Sequence, residues 1–458
     1  MAGSDRPLWT LTARELCEAY ASGLSPREVT AAMLARIGEV NPRLNAIITL
    51  DEAGAIRSAE DSAQRWKDGR PLGALDGVPV TIKDNILVAG MRATWGSRLY
   101  EDHVPDVDEL PVQRLREAGA VILGKTNVPE FTLHGFTDNA VFGTTKNPWN
   151  TALTPGGSSG GAVASVATGM GAIALATDGG GSIRRPAAHT GLIGFKPSRD
   201  TVHRGKGFPA ILGDFEVIGP IARAVDDIIR TMEIIAGSTW PRLASEPLAA
   251  APRIAYAPSF DGAPVDPFIR GVIDRTVDQA RSLGLDVETI SGFDLAAPLG
   301  RIWPVVSQTG VAWLLAQHSD WRDRVAPAIA EMAAAGERYT ARDYFDAIDA
   351  IAAMRRVFDG FFARYDFLIT PTTAAMPWPA GESHPEMIGG QKVGPRGHAV
   401  FTPFANALGL PAISMPCAVK EGELPVGMQI VAARDRDWPL LVFARAQQDR
   451  LFFQRWPP

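Results

Sequence analysis

The sequence predicts an α/β protein, because segments with the period of helices alternate with short β-rich runs and glycine-containing turns. Residues 8–42 open with two helical patterns. The first covers 11–20; the second follows Ser25 as N-cap, with Glu28 three residues on and an apolar face of Val29, Met33, Leu34 and Ile37. A third pattern covers 52–68. After Gly73 the period changes: Val78-Pro79-Val80-Thr81-Ile82 reads as a strand that ends at Lys83. Residues 111–118 are again helical, and Ala120-Val121-Ile122-Leu123 is a short apolar strand. The run 162–177, AVASVATGMGAIALAT, reads as one buried helix that packs closely through small residues. Strands at 253–256 and 287–290 flank a helix reaching about 283, and a helical region containing alanine and tryptophan extends to about 364. Strands at 367–370 and 426–431 enclose a Pro- and Gly-rich loop, 371–397, that is suited to act as a lid.

Composition narrows the function classes. The 458 residues carry a formal net charge of −6, which argues against a nucleic-acid binder, since that role needs a basic patch to neutralise phosphates. Hydrophobic residues make up 46% and charged ones 21%, enough apolar surface to bury large cores. The length equals about three average domains, although large α/β enzymes often form one continuous body of this size. Cys17 and Cys417 lie far apart with no second thiol near either, so neither a disulfide framework nor a cysteine metal site is expected. The N-terminal stretch lacks an apolar signal-peptide core and no segment spans a bilayer, so a cytoplasmic location is expected. No fixed-period repeat is present. The 45 glycines are the less ordinary count, and they concentrate in 154–182, TPGGSSGGAVASVATGMGAIALATDGGGS, where nine of 29 residues are Gly and Asp178 alone is charged.

Two motif matches fail on context. Gly119 to Thr126 fits the phosphate-loop string, but the residues between its glycines are themselves the strand, and Pro129 follows too closely for a helix to open after Lys125. Gly156-Gly157-Ser158-Ser159-Gly160 fits the nucleophile elbow of Ser-His-Asp esterases. It is preceded by a loop with two prolines instead of a strand, and none of the seven histidines is an obvious partner by spacing, so an esterase using Ser158 is a minor alternative. No histidine pair shows metal-ligand spacing.

The remaining constellation carries chemistry. Lys83 ends a strand, a Gly-Gly-Ser-Ser-Gly-Gly loop occupies 156–161, and Asp178-Gly179-Gly180-Gly181-Ser182 follows. Consecutive glycines let backbone N–H groups converge on a carbonyl oxygen, as an oxyanion hole requires. A serine directly after them can attack that carbonyl, a lysine in apolar surroundings loses basicity and can act as general base, and a second serine can relay the proton.

The string GGSSGGAVASVATGMGAIALATDGGGSIRRPAAHTGLIGFKPS resembles the signature of the amidase signature family. The likeness extends to GVPVTIKDN (77–85), GKTNVPEF (124–131), NPW (147–149), NALGLPAISMP (406–416) and LPVGMQ (424–429), and so covers most of the chain. The resemblance implies a single α/β/α domain over 1–458, with a central twisted mixed sheet covered by helices on both faces. Within it, a signature core of about 73–200 precedes a more variable pocket region of about 240–400 and a C-terminal return at 401–458. It implies a triad in which Ser182 is the nucleophile, Ser158, held by a cis peptide bond, is the relay, and Lys83 is the base. The N–H groups of Gly179, Gly180, Gly181 and Ser182 are the implied oxyanion donors, and Thr132 matches a pocket-lining position. The implied reaction is hydrolysis of an amide to acid plus ammonia or amine, with no metal and no organic cofactor. The implied partner is a small-molecule amide, with a homodimer left open and neither nucleic acid nor membrane expected.

Some residues depart from the family pattern. Gly179 stands where many members carry Ile or Thr. RDTVH (199–203) and GDFEV (213–217) replace runs found in members resembling the A chain of glutamyl-tRNA amidotransferase, the alternative reading, which releases ammonia from glutamine with a partner chain. Trp303, Trp313, Trp321, Tyr344, Phe345, Phe358, Phe361 and Phe362 are candidates for an acyl pocket, although their helical spacing fits a core as well. With no cation in the catalytic segment beyond Arg184 and Arg185 to fix a carboxylate, an apolar or aryl amide is the expected substrate.

Overall fold

The computed structural model describes residues 6–240, 247–260, 262–453 and 455–458. The first five residues, part of the N-terminal stretch read for a targeting segment, lie outside this set. Thirteen strands are present among the described residues: β1 (Ile47–Leu50), β2 (Pro79–Lys83), β3 (Val121–Thr126), β4 (Ile173–Asp178), β5 (Ile193–Lys196), β6 (Val217–Ala222), β7 (Arg253–Tyr256), β8 (Asp286–Thr289), β9 (Phe367–Pro371), β10 (Met387–Ile388), β11 (Gln391–Lys392), β12 (Ala412–Pro416) and β13 (Gly427–Ala432). Eleven of them form one sheet in the order β1-β3-β2-β4-β6-β5-β12-β13-β9-β7-β8, while β10 and β11 make a separate hairpin. The sheet is mixed: β2 runs parallel to β3 and β4, β7 parallel to β8 and β9, and the other pairs are antiparallel.

Helices flank this sheet, and the reason is visible along single strands. Every residue of β3, β4, β6, β9, β12 and β13 is buried, so both faces of the central strands are covered. Successive side chains of a strand point to opposite faces. In β4, accordingly, Ile173 and Leu175 enter one hydrophobic core, while Ala174 and Ala176 enter a second one with Val163, Val166 and Ala187. Alanine dominates that second face because the helix Gly160–Ala167 lies directly against it. Among the described residues no helix is long and apolar enough to cross a membrane.

Most predicted elements appear near their expected bounds, and three corrections carry physical content. The stretch 162–177 is not one helix: it splits into the helix Gly160–Ala167 and the strand β4. Gly169 and Gly171, at φ +78° and +158°, turn the chain between the two halves, and a side chain at Gly169 would collide with Trp9. The reciprocal capping expected at Ser25 forms one helix earlier, between Thr12 and Glu15; Ser25 instead accepts from the Arg27 N–H. The strand predicted over 120–123 runs on to Thr126, because Lys125 is buried in it against Asp84, 3.6 Å away. That pairing gives Lys125 a structural partner and leaves no phosphate-binding loop at 119–126.

Parallel pairing aligns the carboxyl ends of two central strands. Ile82 lies beside Leu175 in the β2–β4 ladder, so the carboxyl ends of the two strands, Lys83 and Thr177-Asp178, emerge side by side. The carboxyl edge of parallel strands is where α/β sheets present ligand sites.

Candidate active site

Lys83 is fully buried, and its Nζ reaches Ser158 Oγ at 2.8 Å, Thr177 Oγ1 at 2.9 Å and the Thr177 carbonyl at 3.1 Å. Burial pushes the ammonium down to about 7; Glu216 and Asp178 pull it upward, Arg204 and Arg185 downward. An ammonium donates to all three acceptors, whereas the neutral amine donates to two and turns its lone pair to the third. Thr177 also receives the Asn85 Nδ2 donor at 3.0 Å, so two side chains orient it beneath the lysine. Neither Thr177 nor Asn85 stands out in the sequence. Their signal is a hydroxyl and an amide at adjacent strand ends, and it becomes legible only once β2 and β4 are paired.

Ser158 follows a cis Gly157–Ser158 peptide bond. A Cβ at Gly157 would lie 2.5 Å from the Phe136 carbonyl oxygen, so the loop needs glycine for close approach of two backbones. The next residue, Ser159, donates its N–H to the Ser182 carbonyl at 3.2 Å, which brings the two serine segments together. The partner of the Ser158 hydroxyl is therefore a lysine and not an imidazole, which removes the basis for an esterase triad on Ser158.

Ser182 lines a cavity of about 380 Å3. The turn before it is held by a buried network. Asp178 Oδ1 accepts from Gly181 N–H at 2.7 Å, Asp178 Oδ2 accepts from Ile183 N–H at 3.1 Å, and Arg184 bonds both oxygens at 2.9 and 3.0 Å. Arg184 in turn donates to Gln429 at 2.6 Å and Asn406 at 2.7 Å, and Asn406 donates to the Asp178 carbonyl at 2.7 Å. Burial alone raises the Asp178 carboxyl, but Arg184 outweighs it and holds the group well below the usual carboxylate range. Thr402 completes the frame by donating to the Gly180 carbonyl at 2.8 Å. We expect Asp178→Asn to destabilise the fold by about 3–5 kcal/mol, since it strands the Arg184 charge in the interior. Denaturant midpoints of the two chains measure this.

The expected oxyanion donors differ in their surroundings. Gly180 lines the cavity, and a Cβ on it would lie 2.5 Å from the Trp303 ring. The Gly181 N–H is committed to Asp178, which leaves Gly179, Gly180 and Ser182 to supply N–H groups. Thr132 lines the cavity at φ +59°, its hydroxyl donating to the Phe131 carbonyl and accepting from Trp95 Nε1 at 3.3 Å.

The predicted aromatic pocket is mostly something else. Of the eight candidates, Trp303 borders the Ser182 cavity. Phe358, Phe361 and Phe362 pack with Phe293 and Phe404 in a core, because their spacing along the helix Ala341–Arg364 turns them to its packed side. Trp313, Tyr344 and Phe345 line a separate groove. Trp321 is half-buried under Arg322, 4.6 Å above its ring. The 371–397 loop does border the cavity, through Ser383, Pro395 and Arg396.

Comparison with known proteins gives the family and the fold. The Amidase family model matches residues 28–441. The chain is 33% identical over 476 residues to the A chain of the glutamyl-tRNA(Gln) amidotransferase of Symbiobacterium thermophilum, covering 96% of both. A crystal structure of a bacterial aryl acylamidase of the amidase signature enzymes superimposes with a TM-score of 0.87 at 27% identity over 97% of each chain. The substrate complex of 6-aminohexanoate cyclic dimer hydrolase does so with 0.86 at 26% identity over 99% of each. Matched by the family model over nearly all its length, and sharing the fold of its solved members, this chain belongs to the amidase signature family of hydrolases.

Proposed function

We propose that the protein hydrolyses a carboxylic acid amide through an acyl-enzyme on Ser182, with Ser158 and Lys83 as proton relay. The observation that carries this reading is the 2.8 Å contact between a buried, weakly basic lysine and the Ser158 hydroxyl, beside a serine that opens on a cavity. Neutral Lys83 takes the Ser158 proton while Ser158 takes that of Ser182, and Ser182 Oγ bonds to the amide carbon. The N–H groups of Gly179, Gly180 and Ser182 receive the carbonyl oxygen as its charge develops. Ser158 then hands a proton to the leaving nitrogen, the C–N bond breaks, and water cleaves the acyl ester by the reverse relay. The cavity wall draws on Thr132 from the signature core and on Trp303, Gln308 and Arg396 from the 240–400 region, which supports one catalytic domain with a variable pocket segment.

The curated relatives favour a second reading, an A-type amidotransferase component that acts with a partner chain. Against it stand the two departures, which touch each other: Arg199 pairs with Asp214, and Arg204, next to the first run, joins Glu216 of the second at 2.5 Å. Ammonia or amine release by the purified single chain, scored over a panel of amides, separates the two readings. We expect turnover without a partner. Release that depends on an added partner chain supports the amidotransferase.

A further inference from the structure

The cavity that holds Ser182 contains two guanidinium groups, and no carboxylate lines it among the described residues. Other arginines of this fold are matched: Arg184 by Asp178 at 2.9 Å, Arg65 by Asp76 at 2.6 Å, and Arg204 by Glu109 and Glu216. Arg185 is different. It is 6% exposed, and its contacts are neutral: Nε donates to the Gly181 carbonyl at 3.4 Å and Nη1 to His398 Nε2 at 3.2 Å. A guanidinium cannot accept a hydrogen bond, so His398 accepts here and carries its own proton on Nδ1. Burial, then Arg185 and Arg396, hold His398 well below the usual imidazole range, so it adds no charge of its own at neutral pH. Burial lowers Arg185 itself to about 10, although Asp178, already bonded to Arg184, pulls it upward, and it stays cationic at neutral pH.

Arg396 stands at the exposed mouth of the same cavity, on the 371–397 loop. Its guanidinium lies 4.3 Å over the Trp303 ring, and it makes no ion pair among the described residues. Arg396 and Trp303 together line the cavity of Ser182, and they also border a neighbouring cavity. A buried charge without a counter-ion is expensive unless something supplies the opposite sign. Planar guanidiniums match carboxylates in particular, through paired N–H donors.

We propose that Arg185 and Arg396 form a carboxylate subsite, and that the substrate is a short acid-amide carrying a free carboxylate a few bonds from the scissile carbonyl. The proposal rests on the amide-hydrolase reading and names its substrate class. The short spacing follows from the anchoring of Arg185 to Gly181, the residue immediately before the nucleophile. It departs from the apolar or aryl amide expected from sequence, because of the two arginines after Ser182 the fold pairs only Arg184 with a carboxylate, and Arg396 comes from a distant loop.

Calorimetric titration of the full chain carrying Ser182→Ala, with succinamic acid against the neutral diamide succinamide, tests this apart from turnover. The acid-amide is expected to bind about 10-fold more tightly or better, as hydrogen bonds to charged groups allow. Adding Arg396→Gln or Arg185→Met should cut that ratio to about 3-fold or less. If Arg185→Met yields no soluble protein, Arg396→Gln decides, since that side chain is exposed. Equal affinity for the two ligands, a preference that survives in Arg396→Gln, or no binding of succinamic acid at millimolar concentration overturns the subsite. A parent chain that releases no ammonia from either compound, with the binding ratio intact, overturns the hydrolase reading instead.

Discussion

Replacing Ser182 with alanine is expected to lower kcat for amide hydrolysis by about 10⁴-fold or more, with the fold intact. The size follows from the role: without Oγ no acyl-enzyme forms, and what remains is the cavity with its backbone donors acting on water. Because Ser182 is buried at the cavity wall and its carbonyl still accepts from Ser159, removal of one hydroxyl leaves the loop frame in place. Thermal midpoints of the two chains should therefore agree within about 2 °C, a shift expected of less than roughly 1 kcal/mol. A fluorophosphonate probe should label the parent chain at Ser182 and leave the alanine chain unlabelled. Retained turnover, or labelling at Ser158 instead, would place the nucleophile elsewhere.

Replacing Lys83 with methionine is expected to remove most activity, by about 10³-fold or more, and to change how the protein responds to pH. In the parent, the base is competent only when neutral, so kcat/KM should rise with pH through a midpoint near 7 and then level off. The variant should lose that rise. Stability moves the same way, over a higher pH range. The unfolded lysine keeps an ordinary pKa near 10.5 and the folded one lies near 7, so between those values the unfolded chain holds more protons and folding is favoured as pH rises. The destabilising effect of burying Lys83 is thus fully present below about pH 7 and fades toward pH 10.5. Methionine fills similar space without that burden. The Lys83→Met chain should unfold at higher denaturant than its parent at pH 7, and the gap should narrow by pH 10.

The α/β class was legible because helices and strands differ in the period of their apolar residues, and that signal is local. It failed at 162–177, where every residue is small or apolar and both faces are buried. A continuous apolar run has no period from which to choose helix or strand, so the turn at Gly169 and Gly171 decided it. The site shows the same division. Lys83, Ser158 and Ser182 stood out because strand ends, glycine runs and the serines beside them are chain-local features, and the family resemblance assigned them roles.

Their environment had no such signature. Asn406 and Gln429 lie more than 220 residues beyond Asp178, yet they complete the shell around its partner Arg184. Trp303 was one of eight equivalent-looking aromatics, and it alone of them reaches the cavity of Ser182.

From the sequence alone come the class of fold, the candidate lysine and serines, and the glycine runs beside them. These are properties of residue type and short spacing. Tertiary structure decided how basic Lys83 is, which arginine is neutralised and which is left facing the cavity. Basicity and uncompensated charge depend on burial and on neighbours brought from distant parts of the chain, and no spacing along the sequence encodes them.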